Sequence, residues 1–460
     1  MTTATLPADA EPLFSRERLG ACIGAVALVS LLAFEAMAMA AAMPAIAGAL
    51  DGLSLYALAF GGMLATSLLG MVLAGRSCDR HGARRATAFG LALFSVGLLL
   101  AGFAADMAGV VAGRIVQGLG GGMLGVALYV GMGQLVPQAL HPRLFALLAA
   151  AWVLPGLLGP PIAAWLAGQF GWRSVFLVVA LAVPLAAALL LPAFGRLPRP
   201  LPSADATAFP RAHVAWAALA AVGALSLHGA SQSGTSALTR LALALGLAAA
   251  FAAARRLLPH GTLVAASGLP AVIALRGLLA SAFASAEVFI PLYLTREQGW
   301  SLAAAGLALS TGAVLWSGGS ALQARLKSDR LRQRGLRAGF VMVAAGIGIA
   351  TLPMLAGLPA WTVVAGWALA GFGIGLGFPM LSVLTLHLSP RAEQGRNASA
   401  LQLSDALCSS AALAVAGALF GQAGEGGAHG HLLVLMLAMA LAAVGALLAG
   451  RATRSVAARH

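Results

Sequence analysis

The sequence predicts an all-α integral membrane protein, built as two pseudo-symmetric six-helix bundles with two additional helices between them. Three observations carry this. Of the 460 residues, 60% are hydrophobic and only 9% are charged, with a mean hydropathy of +0.92; a soluble domain carries about 25% charged residues. The apolar residues fall in runs of about 20, the length that crosses a bilayer. A short charged segment between two such runs, Gly75-Arg-Ser-Cys-Asp-Arg-His-Gly-Ala-Arg-Arg85, returns late in the chain as Lys327-Ser-Asp-Arg-Leu-Arg-Gln-Arg-Gly-Leu-Arg337.

Six apolar runs precede residue 200, at roughly 20–43, 55–75, 86–104, 108–132, 143–168 and 174–194. Six more close the chain, at roughly 268–295, 302–325, 338–356, 360–386, 397–421 and 431–450. Between the two sets, 213–231 and 236–254 are also long enough to span, giving fourteen helices; the alternative is twelve helices and a long interfacial linker. The expected organisation is therefore a tail over 1–19, a bundle over 20–195, a linker with two helices over 196–267, a second bundle over 268–450 and a tail over 451–460.

A net charge of +14 would suit nucleic acid. Here the basic residues sit between apolar runs and form no soluble basic face, so that partner is excluded, and the lipid bilayer and a small-molecule substrate remain. All but one of the basic residues are arginine, Lys327 being the exception, a bias that fits a GC-rich bacterial gene. Cys22, Cys78 and Cys408 are too far apart for a disulfide framework or a zinc site. The first 19 residues hold Asp9, Glu11 and Glu17 and lack a basic region feeding a short apolar stretch, so the first run reads as a retained helix.

Arginine sets the orientation, because basic residues concentrate in cytoplasmic loops. With fourteen helices, the loops on the side away from the termini hold only Arg173, Arg240 and Arg296. Arg114 and Arg276 lie inside apolar runs, and every other basic residue falls on the side of the termini. Both termini are expected in the cytoplasm of a bacterial inner-membrane protein.

The halves also match in detail. Gly113, Gly118, Gly120 and Gly122 align with Gly366, Gly371, Gly373 and Gly375 at one offset (366 − 113 = 253). Gly82 and Gly335 (335 − 82 = 253) and Arg84 and Arg337 (337 − 84 = 253) share it, while Asp79 and Asp329 differ by 329 − 79 = 250. Parallel halves related by an axis along the membrane normal are a transporter design.

Carboxylates inside a span are costly, which makes them functional candidates. Glu35, Glu287 and Asp405 are the three, with Gln402 near the last. Desolvation at Glu35 disfavours the charged form, so the group suits loading a proton from one side and releasing it to the other. Interhelical hydrogen bonding is the alternative role for each. Arg114, a cation at any working pH, is placed to bias such a proton site, or else to snorkel to the interface. Gly156, Gly159, Pro160 and Pro161 are expected to bend the fifth span. No Gly-Lys-Ser/Thr loop exists to bind ATP, and no His/Cys/Asp cluster suggests an enzyme or a metal. The expectation is a monomer with no cofactor, its coupling ion a proton.

These residues resemble the major facilitator superfamily over nearly the whole chain. Gly75–Arg85 is similar to its loop 2–3 signature G-x-x-x-D-R-x-G-R-R, with Ala83 where the signature places its first Arg. The resemblance gives Gly75, Asp79, Arg80, Gly82, Arg84 and Arg85, with Asp329 and Arg330 in the second copy, the role of a conformational latch; Asp79 would face the helix that begins near Asn397. Arg114, Gln117 and Gly118 resemble the R-x-x-Q-G signature of drug transporters. Gly159-Pro160-Pro161 followed by Ala163-Ala164 resembles the antiporter motif G-P-x-x-G-G, with alanine for both glycines. The two extra helices resemble the fourteen-helix drug:proton antiporter branch, in which Glu35 stands for an aspartate and Met43-Pro44 for Leu-Pro. The resemblance implies proton-coupled efflux of hydrophobic small molecules by alternating access. A proton-linked importer, an exporter of a metabolite, lipid or siderophore, and a non-transporting sensor or enzyme stay open.

Overall fold

The computed structural model describes residues 14–15, 18–137, 140–197, 211–230, 237–326, 329–390, 393–422 and 427–452, and these residues form helices and short connections. The first half holds α1 (Leu19–Ala49), α2 (Tyr56–His81), α3 (Ala83–Gly102), α4 (Met107–Leu135), α5 (His141–Ala150), α6 (Val153–Phe170) and α7 (Arg173–Gly195). Two linker helices follow, α8 (Arg211–Ala230) and α9 (Ala237–Leu257). The second half holds α10 (Leu269–Arg296), α11 (Leu302–Arg325), α12 (Asp329–Ala350), α13 (Leu352–Ala356), α14 (Trp361–Leu388), α15 (Gln394–Gln422) and α16 (Ala428–Leu448). Among the described residues 13 segments are long and apolar enough to cross a membrane; α9, with Arg255 and Arg256 at its end, falls outside that count.

Packing repeats as the sequence does. In the first half α4 packs on α2 and α3, and α1 on α6 and α7; in the second, α14 packs on α11 and α12, and α10 on α15 and α16. The four repeated glycines explain why. In lipid no hydrophobic force draws helices together, so close approach through small residues has to supply the contact. A methyl group on Gly118 would collide with the Met63 carbonyl and one on Gly122 with the Ser67 carbonyl, both on α2; on Gly113 and Gly120 it would strike Ala101 and Phe94 of α3. In the second half Gly371 and Gly375 meet Gly312 and Trp316 of α11, while Gly366 and Gly373 meet Gly346 and Gly339 of α12.

Three local features go beyond what the sequence shows. The charged segment at 75–85 is almost wholly helical. The polar end of α2 runs through His81, and the turn is Gly82 alone, at φ +81°, a conformation that glycine takes at low cost. Its second copy differs: Gly335 lies inside α12 rather than at a turn, and Lys327 and the side chains of Asp329 and Arg330 lie outside the described residues. The fifth span is divided into α5 and α6, and Gly156, Gly159, Pro160 and Pro161 all lie within helix α6. The break is at Ala151–Trp152. A proline ring clashes with the carbonyl four residues earlier, and four before Pro155 is Ala151, whose carbonyl accepts a hydrogen bond from Ser30 Oγ of α1 (3.0 Å).

The halves meet along α2–α15 and α6–α11, with α1 also touching α10 and α11. Among the described residues, bonds that join them include Ser410 Oγ to the Gly61 carbonyl (2.8 Å), Tyr56 Oη to the Val288 carbonyl (2.8 Å) and Ser310 Oγ to the Leu157 carbonyl (2.9 Å). All lie near mid-membrane or toward the side away from the Gly82 turn. Helix α8 packs on both α2 and α15, so the linker covers one flank of the seam.

Gly122→Val is expected to lower stability by on the order of 3 kcal/mol, because two backbones must separate. Gly125→Ala on the same helix meets nothing within 4 Å and should leave the melting temperature in detergent unchanged or slightly raised.

Candidate functional site

Two charge networks cross the membrane interior, one in each half. In the first, Glu35 of α1 and Arg114 of α4 form an ion pair, at 1% and 2% exposure. Arg114 Nη1 donates to Glu35 Oε1 and to Gln117 Oε1 (2.9 Å), and Nε donates to the Ala59 carbonyl of α2 (3.2 Å). The guanidinium therefore holds three helices. Arg114 does not snorkel to the interface: it is buried and its charge ends on a carboxylate. Glu35 Oε2 and Gln117 Nε2 are buried with no hydrogen-bond partner in the protein. The network thus keeps an open acceptor and an open donor beside a fixed positive charge.

The second network was only half legible. The sequence singles out Asp405, and it shows Arg276 only as an arginine inside an apolar run. Arg276 Nε of α10 donates to both oxygens of Asp405 on α15 (2.9 Å each), while Nη1 donates to the Phe378 carbonyl (3.0 Å) and to Ser382 Oγ (2.8 Å) of α14. The guanidinium also lies 3.2 Å above the Phe378 ring. The signal available in the sequence was the rarity of an arginine within a span. Nothing there linked it to an aspartate 129 positions later. Gln402 is exposed and is not among the groups bonded to this pair.

Glu287 joins neither network. It lines a cavity at the seam of the halves with Phe283, Trp316 and Trp367, closed from the first half by Met37 and Pro160. Gly159 and Gly156 sit on the same wall: their open sides face Met37 and Ala313. The bend motif thus supplies a thin surface between the halves.

The residues of the charged turn stand apart from all three. Asp79 and Arg80 are exposed in the last turn of α2, and Arg85 is exposed in the first turn of α3. Arg84 lies beside Gly195 at the C-terminus of α7, where a cation meets the negative end of the helix dipole. Among the described residues Asp79 makes no ion pair, and Asn397 bonds to Ser389 Oγ (2.9 Å). Asp79 lies 18 residues beyond Gly61, roughly 27 Å along the helix at 1.5 Å per residue, far from the point where α2 meets α15.

A duplicated helical bundle with a buried Arg-x-x-Gln on its fourth helix invites comparison with known transporters. The family model described as Major Facilitator Superfamily matches residues 24–413. The chain belongs to this superfamily. A protein of Mycobacterium tuberculosis named "Probable multidrug-efflux transporter" is 28% identical over 450 residues, covering 95% of this chain and 94% of its own. The multidrug transporter protein MdtP of Bacillus subtilis is 28% identical over 155 residues, 34% of this chain and 29% of its own. Among solved structures, the POT family transporter PepTSo superposes with a TM-score of 0.70 at 16% identity, covering 95% of this chain and 98% of that one; at that identity the likeness concerns the fold. The protein is thus a multi-pass membrane transporter of the major facilitator superfamily, distantly related to multidrug-efflux transporters, and not an enzyme.

Arg114→Ala removes the partner of a buried carboxylate and is expected to cost about 3–5 kcal/mol. Replacing both members, as Glu35→Gln with Arg114→Gln, is expected to cost clearly less than the two single losses added, and a double-mutant cycle on thermal unfolding in detergent measures the difference.

Proposed function

We propose that this transporter is a proton-coupled exporter of hydrophobic small molecules working by alternating access, with Glu35 as its proton site. The observation that carries the reading is the Glu35–Arg114 pair. The carboxylate is buried on one half's first helix, one of its oxygens is bonded to a permanent cation, and the other oxygen has no protein partner. A proton arriving at Glu35 abolishes the attraction that joins α1 to α4 and leaves Arg114 held by Gln117 and the Ala59 carbonyl alone. Since α1 touches both α10 and α11 across the seam, a change in its position is felt by the second half. Protonation then favours one conformer over the other by its differential interaction with each, which is what coupling requires.

Export of hydrophobic compounds is supported by the relationship to a protein named as a probable multidrug-efflux transporter and to one named as a multidrug transporter, and by the mostly apolar lining at the seam. The arginine bias of the loops supports a bacterial inner membrane with both termini in the cytoplasm. On that orientation the bonds that join the halves lie toward the outer side, and among the described residues Asp79 makes no ion pair across the seam, which supports reading this arrangement as the one open to the cytoplasm. In the outward-open state Asp79 and its neighbouring arginines would close against the start of α15 as the latch, while Asp329 and Arg330 would act in the second copy. Arg276–Asp405 remains intact within one half and serves as a fixed brace of α10, α14 and α15.

Glu35→Gln retains a hydrogen-bond acceptor for Arg114 and should express normally. In proteoliposomes loaded with a fluorescent hydrophobic drug, this variant should lose export driven by a pH gradient while wild type retains it. Wild-type gradient dependence in the variant would refute Glu35 as the proton site.

A further inference from the structure

The linker and the two halves converge on a single side chain. Helix α8 packs on α2 of the first half and on α15 of the second. Two residues before its end, on the side away from the Gly82 turn, α8 carries His228, which is fully buried. Gly61 of α2 lies directly against this ring: a methyl group on Gly61 would collide with Nε2 and Cε1 of His228. The ring also meets the backbone of Ser410 on α15. Ser410 Oγ in turn donates to the Gly61 carbonyl (2.8 Å), one of the bonds that join the halves. One imidazole is thus seated where α2, α8 and α15 come together.

The ring is held there from several sides. Leu225, three residues earlier on α8, lies against Gly62 of α2. Behind it, Gly223 and Gly246 bring α8 onto α9 until a methyl group on either would meet the carbonyl oxygen of the other, the small-residue contact that holds helices together in lipid. Moving the ring out of the seam therefore means moving both linker helices. The second seam, α6–α11, carries a matching serine bond, Ser310 Oγ to the Leu157 carbonyl (2.9 Å), and position 157 corresponds to 410 at the repeat offset (410 − 157 = 253). Helix α8 packs on α2, α9 and α15, so the linker reinforces one of these two seams and makes them unequal.

We propose that His228 is a positioning residue for alternating access: its ring, seated in the space left by Gly61, holds the α2–α15 seam closed on the side away from the Gly82 turn, and through it the linker helices set the balance between the two conformers. Parting α2 from α15 breaks the bond between Ser410 and Gly61 and strips the ring of one of its walls. The ring is packed in the closed state and loses contact in the open one, which is the differential interaction that a shift of equilibrium requires. The inference rests on the alternating-access reading, but not on Glu35 as the proton site.

The experiment measures the seam itself, in the purified full-length protein with neither substrate nor gradient. Spin labels are placed on cysteines replacing Ser54, just before α2, and Gln422, the last residue of α15, both exposed, with Cys22, Cys78 and Cys408 changed to alanine. Distances between the labels give the ratio of open to closed seam. His228→Ala should raise that ratio roughly fivefold or more. Gly61→Ala should also raise it, because the methyl group displaces the ring, yet it should add little once His228→Ala has vacated the space. Loss of a merely structural contact would lower the melting temperature and leave the ratio where it was. The proposal is overturned if His228→Ala does not move the ratio, or if Gly61→Ala acts equally with and without His228. Should His228→Ala fail to fold, Gly61→Ala alone decides, and an unchanged ratio overturns the proposal. That failure would leave gradient-driven export through Glu35 standing, and a Glu35→Gln variant that keeps its export would leave the seam result standing.

Discussion

Glycine contact between the fourth helix of each half and its two neighbours sets the geometry on which everything else depends. With lipid as the solvent, a bundle is held by packing and by hydrogen bonds. The repeated glycines bring α4 against α2 and α3, and α14 against α11 and α12, until backbone lies on backbone. That approach is what brings the Ala59 carbonyl of α2 within 3.2 Å of Arg114 on α4. It is also what seats Trp367 beside Gly312 of α11. The same packing rule therefore prepares a cation site in one half and an aromatic wall in the other.

Charge inside such a bundle has to be accounted for locally. Each of the two membrane arginines meets a carboxylate from another helix and also bonds to a backbone carbonyl: Ala59 for Arg114, Phe378 for Arg276. The two networks nevertheless differ in finish. Arg276 spans both oxygens of Asp405 and takes Ser382 in addition, whereas the Glu35–Arg114–Gln117 group leaves one acceptor and one donor open. A fully bonded network resists change. A partly bonded one is where a proton alters the balance. This difference, and not mere burial, distinguishes the two networks.

Legibility in the sequence followed how local each signal was. The spans were readable because apolar length is set by bilayer thickness, and the glycine repeat because it recurs at one offset. The pairing of Glu35 with Arg114 was not readable as a contact, since it joins residues 79 positions apart with no motif between them. Arg276 and Asp405 are more distant still. The division of the fifth span at Ala151–Trp152 was not legible, because a proline acts on the carbonyl four residues before it and the conspicuous cluster at Gly156–Pro161 draws the eye away from Pro155. The turn at Gly82 was readable as charged but not as a single residue, because the polar end of α2 continues its helix past the apolar run.

Duplication explains why the fold is symmetric; departure from it is where function concentrates. A perfectly repeated pair would place a guanidinium opposite each first-helix glutamate, and both carboxylates would then be held by the protein itself. Substituting an indole at position 367 keeps the volume at the helix crossing filled, since Trp367 is buried and packed against Phe283, but it removes the positive charge. The crossing is held by stacking and by the bond to Leu309, and among the described residues no cation stands opposite Glu287.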